Sequence, residues 1–246
     1  MAVPLLHKAY VMENNIQILC TRDLPETLLE GAAAKNVNIE ILSFIATEPI
    51  ETVEVQQEIE NAFLLSTAVV FTSMNAVEAV AKYLLEEDRP DWKIYCIGNT
   101  TRKLAEKYFG DYSIAGFAED AIALAKLIVE EGETDETVFF CGTKRRDELP
   151  DFLRGNNISV DEIVVYETVE VQHKISKQYH GILFFSPSAV ESFFMINQAP
   201  EQTIFFAIGK TTATAIRKFT NNRILIGDQP GKENLVEAML EYFGVT

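Results

Sequence analysis

Cysteine and histidine are scarce in this chain, three of each among 246 residues, and basic residues are outnumbered. Cys20, Cys96 and Cys141 show no Cys-x-x-Cys spacing, and His7, His173 and His180 are equally scattered, so neither a zinc site nor a disulfide framework is indicated. Each cysteine lies in or closes an apolar run (Ile18-Leu19-Cys20, Tyr95-Cys96-Ile97, Phe139-Phe140-Cys141) and reads as a small buried hydrophobe. No Gly-x-Gly-x-x-Gly and no Gly-x-x-x-x-Gly-Lys-Ser/Thr occurs, which removes the common nucleotide-phosphate fingerprints. No apolar run approaches the roughly 20 residues of a membrane helix, so no membrane partner is expected. The apolar start of Met1–Asn15 breaks at His7-Lys8, too early for a signal-peptide core. It reads as an N-terminal extension of a cytoplasmic protein. Lysine plus arginine number 21 against 37 acidic residues, a formal net charge of −16. That argues against nucleic acid, whose binding rests on phosphate neutralisation.

What is present is globular: 48% hydrophobic and 24% charged residues supply ample core. Strand-length apolar runs alternate with helical patterns. Ile16–Cys20 precedes a helix at Pro25–Lys35, Ala68–Thr72 precedes Asn75–Glu87, and Lys93–Ile97 precedes Thr101–Phe109. Ser113–Ala115 leads to Ala118–Glu131, Thr137–Cys141 to Arg146–Gly155, and Val160–Val165 follows. The last third repeats the rhythm with Gly181–Phe185 and Ala189–Asn197, Thr203–Ile208 and Thr211–Phe219, Ile224–Ile226 and Lys232–Phe243. Val69-Val70-Phe71 and Ile182-Leu183-Phe184-Phe185 are apolar on both faces, as parallel strands covered by helices are. The pattern predicts an α/β fold with open doubly wound sheets.

An internal repeat sets the domain organisation. Val70-Phe71-Thr72-Ser73-Met74-Asn75-Ala76-Val77-Glu78 recurs as Leu183-Phe184-Phe185-Ser186-Pro187-Ser188-Ala189-Val190-Glu191. Ile97-Gly98-Asn99-Thr100-Thr101 recurs as Ile208-Gly209-Lys210-Thr211-Thr212, and Ala118–Ile122 more weakly as Lys232–Val236. Order is preserved and the intervals agree within a few residues, so the chain holds two related lobes. The second copy has no room for a full lobe after Ile182; residues 16–45 supply the missing strand–helix–strand. The expected layout is therefore discontinuous: residues 1–47 plus 173–246 as one lobe, 48–165 as the other, and 166–172 as a linking strand. Two extended crossings, near Ile41–Ile45 and Val164–Val171, would join the lobes around a cleft and allow hinge motion. A monomer is expected, because the repeat already supplies a pseudo-symmetric counterpart.

Both copies place a hydroxyl residue between a buried strand and a helix, Thr72 and Ser73 in one and Ser186 and Ser188 in the other. Both end a second strand in Ile-Gly-x-Thr-Thr. Ligands of open α/β sheets bind beyond the carboxyl ends of the strands. Serine or threonine there caps a helix, while unclaimed N–H groups and the helix dipole attract an anion. Glycine at 98 and 209 allows close backbone approach. Helix capping and a multi-anion site both fit these residues. Gly142-Thr143-Lys144-Arg145-Arg146-Asp147 also follows a strand and is the densest positive cluster. It reads equally as a solvated basic face or, through Arg146, as a bidentate carboxylate contact. Lys210 and Lys232 add point charges near the other lobe's helix starts.

Taken together these blocks resemble the uroporphyrinogen-III synthase family. The resemblance runs from about Ile16 to the C-terminus. It is carried by Phe71-Thr72-Ser73, Ile97–Thr101, Gly142 with Arg146, Leu149 and Leu153, Val160–Thr168, Phe185–Ser188, Ile208–Thr212 and Glu233–Leu240. Lys210 stands where many relatives have proline, and Gln229-Pro230-Gly231 replaces a common Pro-Thr turn. The resemblance implies two flavodoxin-like lobes, no cofactor, and the polyanionic linear tetrapyrrole hydroxymethylbilane as substrate. It implies Tyr166 as the catalytic acid, with Thr101 as the matching threonine of the family's cleft. Thr72, Ser73, Gly98, Asn99, Gly142, Arg146, Ser186, Ser188, Gly209, Lys210, Thr211 and Thr212 would line the substrate site. By position alone Tyr166 reads as a half-buried packing residue with its hydroxyl in water, not as a catalytic one. A net charge of −16 suits a polyanion poorly, so the cleft around Lys144–Arg146 and Lys210 is expected to be far less negative than the outer surface. The alternative is a non-catalytic two-lobe protein that binds a small anionic metabolite.

Overall fold

A computed structural model describes residues 15–85, 89–227, 229 and 231–245. The N-terminal extension with His7, the end of the helix expected to reach Glu87, and Pro230 lie outside the described residues. The chain divides into two compact units, one ending at Ala46 and resuming at Glu170, the other spanning Thr47–Val169. They are termed lobe 1 and lobe 2.

Lobe 1 is built on β1 (Ile16–Cys20), β2 (Val37–Ile41), β9 (Gly181–Phe184), β10 (Ile204–Ala207) and β11 (Ile224–Ile226). They form a five-stranded sheet in the order β11-β10-β9-β1-β2, with every pairing parallel. Lobe 2 contains β3 (Ile45–Pro49), β4 (Thr67–Phe71), β5 (Trp92–Ile97), β6 (Ile114–Ala118), β7 (Glu136–Gly142) and β8 (Ser159–Glu170), ordered β3-β8-β7-β4-β5-β6. Allowing for the repeat, in which β4 and β5 correspond to β9 and β10, both sheets carry the flavodoxin-type order. The switch points fall between β1 and β9 in lobe 1 and between β7 and β4 in lobe 2.

Helices cover both faces of each sheet. Lobe 1 has α1 (Glu26–Ala33), α7 (Pro187–Ile196), α8 (Lys210–Arg217) and α9 (Lys232–Tyr242). Lobe 2 has α2 (Val53–Phe63), α3 (Met74–Ala81), α4 (Asn99–Phe109), α5 (Ala121–Glu131) and α6 (Glu148–Gly155). In lobe 2, Val69, Phe71, Ile94, Val138, Phe140, Ile163 and Val165 face α2, α3 and α4. The alternate residues Val70, Tyr95, Phe139 and Cys141 face α5 and α6. This alternation of fully buried side chains explains why the runs Ala68–Phe71 of β4 and Val138–Cys141 of β7 are apolar without a break.

Most sequence-predicted elements stand within a few residues of their expected limits, and some differ in detail. Pro25 occupies the cap position of α1 rather than its first turn. Ala118 ends β6, and α5 starts after Asp120, whose carboxylate accepts from Ala123 N at 2.8 Å. Tyr166 does not end its strand: β8 is 12 residues long and runs on from Val165 through Glu170. Ladder pairing with β7, as far as Gly142↔Tyr166, and the bond from Ile50 N to Val165 O give that longer run its backbone partners.

Candidate active site

At the lobe 2 switch point, β4 and β7 end side by side and their helices depart to opposite faces of the sheet. Ser73 caps α3: its Oγ accepts from Ala76 N at 3.2 Å and donates to the Tyr166 hydroxyl at 3.1 Å. Tyr166 reaches Ser73 because β8 is irregular there. Cys141 pairs with Val164 but Gly142 pairs with Tyr166, so β8 carries one extra residue, Val165, against β7. By strict alternation Tyr166 would follow Val164 onto the α5/α6 face. It packs instead against the cluster that holds Ile163 and Val165, the re-aiming that a bulge produces. The ring lies over Gly142. A Cβ on that glycine would fall 2.4 Å from Tyr166 Cζ and 2.9 Å from its hydroxyl, and Thr143 N fixes the Tyr166 carbonyl at 3.1 Å.

The four repeated helix starts prove to be of two kinds. Ser73 and Ser186 cap α3 and α7, Ser186 Oγ accepting from Ala189 N at 3.2 Å; capping is thus real at both. Ser188 donates to Ser186 Oγ at 3.4 Å, and Thr72 is half-buried beside Ser73. At α4 and α8 the cap positions are Gly98 and Gly209, and no side chain takes the first N–H groups. Gly98 has φ 74°, whereas Gly209 is extended at −172°. Asn99, Lys210 and Thr211 are exposed on the first turns, while Thr101 and Thr212, the third residue of each helix, are buried.

The basic cluster is divided by its neighbours. Arg145 pairs with Asp147 and Glu162, and Arg154 holds the other Glu162 oxygen at 2.7 Å. Lys144 and Arg146 are exposed, with no ion pair among the described residues. The helix expected from Arg146 starts at Glu148, leaving Arg146 in the loop after β7. Lys232 Nζ donates to the Asp23 carbonyl at 2.7 Å, so its charge is tied to the loop that follows β1. Sequence reasoning missed the contacts of Ser73 and Gly142 with Tyr166, and the pairing of Arg145. The run Ile163-Val164-Val165 is apolar throughout, as a strand covered on both faces is, and carries no sign of the irregularity.

The three cysteines are buried, and among the described residues no group of three or more His, Cys, Asp or Glu side chains is placed to hold a metal. No helix among them is long and apolar enough to cross a membrane.

The sequence matches the family model described as uroporphyrinogen-III synthase HemD over residues 26–237. The chain belongs to the uroporphyrinogen-III synthase family. A curated relative, the porphyrin biosynthesis protein HemD of Ruminiclostridium josui, is 28% identical over 194 residues, 72% of this chain. The chain spans 38% of that relative's length. Among solved structures, uroporphyrinogen-III synthetase from Helicobacter pylori superposes with TM-score 0.66 at 18% identity, covering 92% of this chain and 99% of that one. A mutant uroporphyrinogen III synthase from the extremely thermophilic bacterium Thermus thermophilus gives 0.58 at 13% identity, covering 94% and 98%. At these identities the likeness is one of fold: the family's α/β architecture, with parallel sheets and alternating strands and helices, is the architecture described above.

Proposed function

We propose that the chain is a uroporphyrinogen-III synthase, a lyase that closes hydroxymethylbilane with loss of water and inversion of ring D for tetrapyrrole (haem) biosynthesis. The observation that carries the reading is Tyr166, a phenol at the carboxyl end of a family-type sheet, set at its switch point by a serine donor. With its oxygen accepting from Ser73, the phenol keeps its own proton to give. It protonates the departing hydroxyl of the ring A hydroxymethyl group, water leaves, and the pyrrole nitrogen supplies the electron pair that forms an azafulvene. The resulting phenolate stands beside the α3 N-terminus, whose dipole favours negative charge. Ring D then attacks through its substituted carbon. The spiro intermediate reopens and recloses, inverting the ring, and the last proton lost from the macrocycle balances the one the phenol gave.

The substrate also closes spontaneously to the unrearranged type I isomer, so the protein's task is largely to hold the chain where the spiro route wins. Its carboxylates are assigned to the uncapped starts of α4 and α8, with Gly98, Asn99, Thr101, Gly209, Lys210, Thr211 and Thr212. Thr72, Ser186, Ser188 and the exposed Arg146 are further contacts. The assignment calls on no cofactor, and the proposed working form is a cytoplasmic monomer of two lobes.

The test supplies freshly made hydroxymethylbilane to the purified protein, oxidises the products and separates type III from type I by chromatography. Type III is expected from the wild type, and Tyr166→Phe should slow its formation by about 100-fold or more, the scale of general acid catalysis. Undiminished type III from the variant would remove Tyr166 from catalysis while keeping the enzyme. Type I alone, at the rate without protein, would leave the anion-binding alternative.

A further inference from the structure

We infer that Ser73 and Gly142 are positioning residues that act through Tyr166 rather than contacts for the substrate. The inference rests on the proposed synthase activity. Three independent features converge on one ring, all within lobe 2. The extra residue Val165 turns Tyr166 onto the α3 face of the sheet. Gly142 supplies the space: its backbone lies outside the left-handed region, so what demands glycine is the ring that a Cβ would meet at 2.4 Å. Ser73 Oγ then fixes the hydroxyl at 3.1 Å while accepting the Ala76 N–H. Its single proton is used on tyrosine and one lone pair on the cap. A serine engaged in this way orients the phenol and leaves the phenolic proton as the group to be delivered. Gly142 presents no side chain, and its open side is covered by the ring, so its part in turnover passes through Tyr166.

The test is a set of double-mutant cycles on the full chain, reading kcat and KM for type III formation. Ser73→Ala and Gly142→Ala should each lower kcat about fivefold to tenfold, the size of one lost hydrogen bond or a displaced acid, with KM changed less than twofold. Ser73→Thr, which can both cap and donate, should restore kcat. Asp120→Ala, which removes a comparable cap from α5 on the opposite face, should leave kcat unchanged. In a Tyr166→Phe background the Ser73→Ala and Gly142→Ala losses should vanish. Losses that persist there undiminished, or that fall on KM, would overturn the inference and make these residues direct substrate contacts.

A second readout does not depend on turnover. With carbon-13 tyrosine, the Tyr166 signal, assigned by its loss in Tyr166→Phe, should move in Ser73→Ala and Gly142→Ala and stay in Asp120→Ala. An unmoved signal sinks the inference even if the enzyme assay succeeds. Should the wild type make only type I, the synthase reading and its catalytic consequence fall together, while the signal still reports whether the ring is held. If Gly142→Ala folds poorly, Gly142→Ala with Tyr166→Ala should recover the lost thermal midpoint; no recovery would mean the ring is not the obstacle.

Discussion

Each cysteine in this protein behaves as a core hydrophobe, and burial pushes all three thiols up: Cys20 and Cys141 to about 11, Cys96 to about 12. A thiol raised in the folded state favours folding fully below its unfolded value, near 8.5, and that contribution is lost as pH rises toward 11 or 12. The same sign holds for Tyr95 and Tyr179, whose hydroxyls are raised by burial and by the neighbouring Glu131 and Glu40. The midpoint of urea unfolding should therefore fall between pH 9 and pH 11, and native protein at pH 8 should leave a thiol reagent unreacted until denaturant is added. Prompt reaction of any thiol in the native state would contradict the burial described.

At the scale of elements, the repeated Ile-Gly-x-Thr-Thr blocks look alike as text and differ as backbone. Gly98 opens α4 with φ 74°, in the region that only glycine enters cheaply, whereas Gly209 opens α8 from extended backbone. A Cβ would meet nothing within 4 Å at either position, so conformation alone separates them. Gly98→Ala should destabilise by about 1–2 kcal/mol and Gly209→Ala by less than about 0.5 kcal/mol, measured by denaturant midpoints. If Gly209 lets a carboxylate approach the α8 N-terminus, Gly209→Ala should nevertheless raise KM. Equal stability losses at both positions would mean that the α8 start has the same strain as the α4 start. The β8 bulge belongs to this scale too: one extra residue decides which face of the sheet the tyrosine serves.

For the whole molecule, the difficulty is a net charge of −16 on a protein proposed to take up a polyanion. Total charge repels such a substrate at long range, and local cations act over shorter distances. Arg145 is neutralised by Asp147 and Glu162, so the local positive field in lobe 2 comes from Lys144, Arg146 and the uncapped α4 start. Raising ionic strength from about 0.01 M to about 0.15 M shortens the screening length from about 30 Å to about 8 Å. KM for hydroxymethylbilane should rise over that range if these groups bind carboxylates. A KM that falls with salt would show that long-range repulsion governs the encounter.

What the sequence determined by itself follows from period and order. Unbroken apolar strands, helical stretches between them and the repeated blocks specified parallel α/β sheets, because those properties are written in neighbouring residues. Family membership was legible for the same reason, since blocks such as Val160–Thr168 keep their order along the chain. The contacts that give Tyr166 its place were not legible. They join positions distant in sequence, Ser73, Gly142 and Tyr166, and depend on a bulge that reverses the side predicted by alternation. Nor could the sequence say which of Lys144, Arg145 and Arg146 stays unpaired, because that depends on Glu162 arriving from the adjacent strand. Local pattern specifies elements; only folding brings the chemistry-bearing atoms within hydrogen-bonding distance.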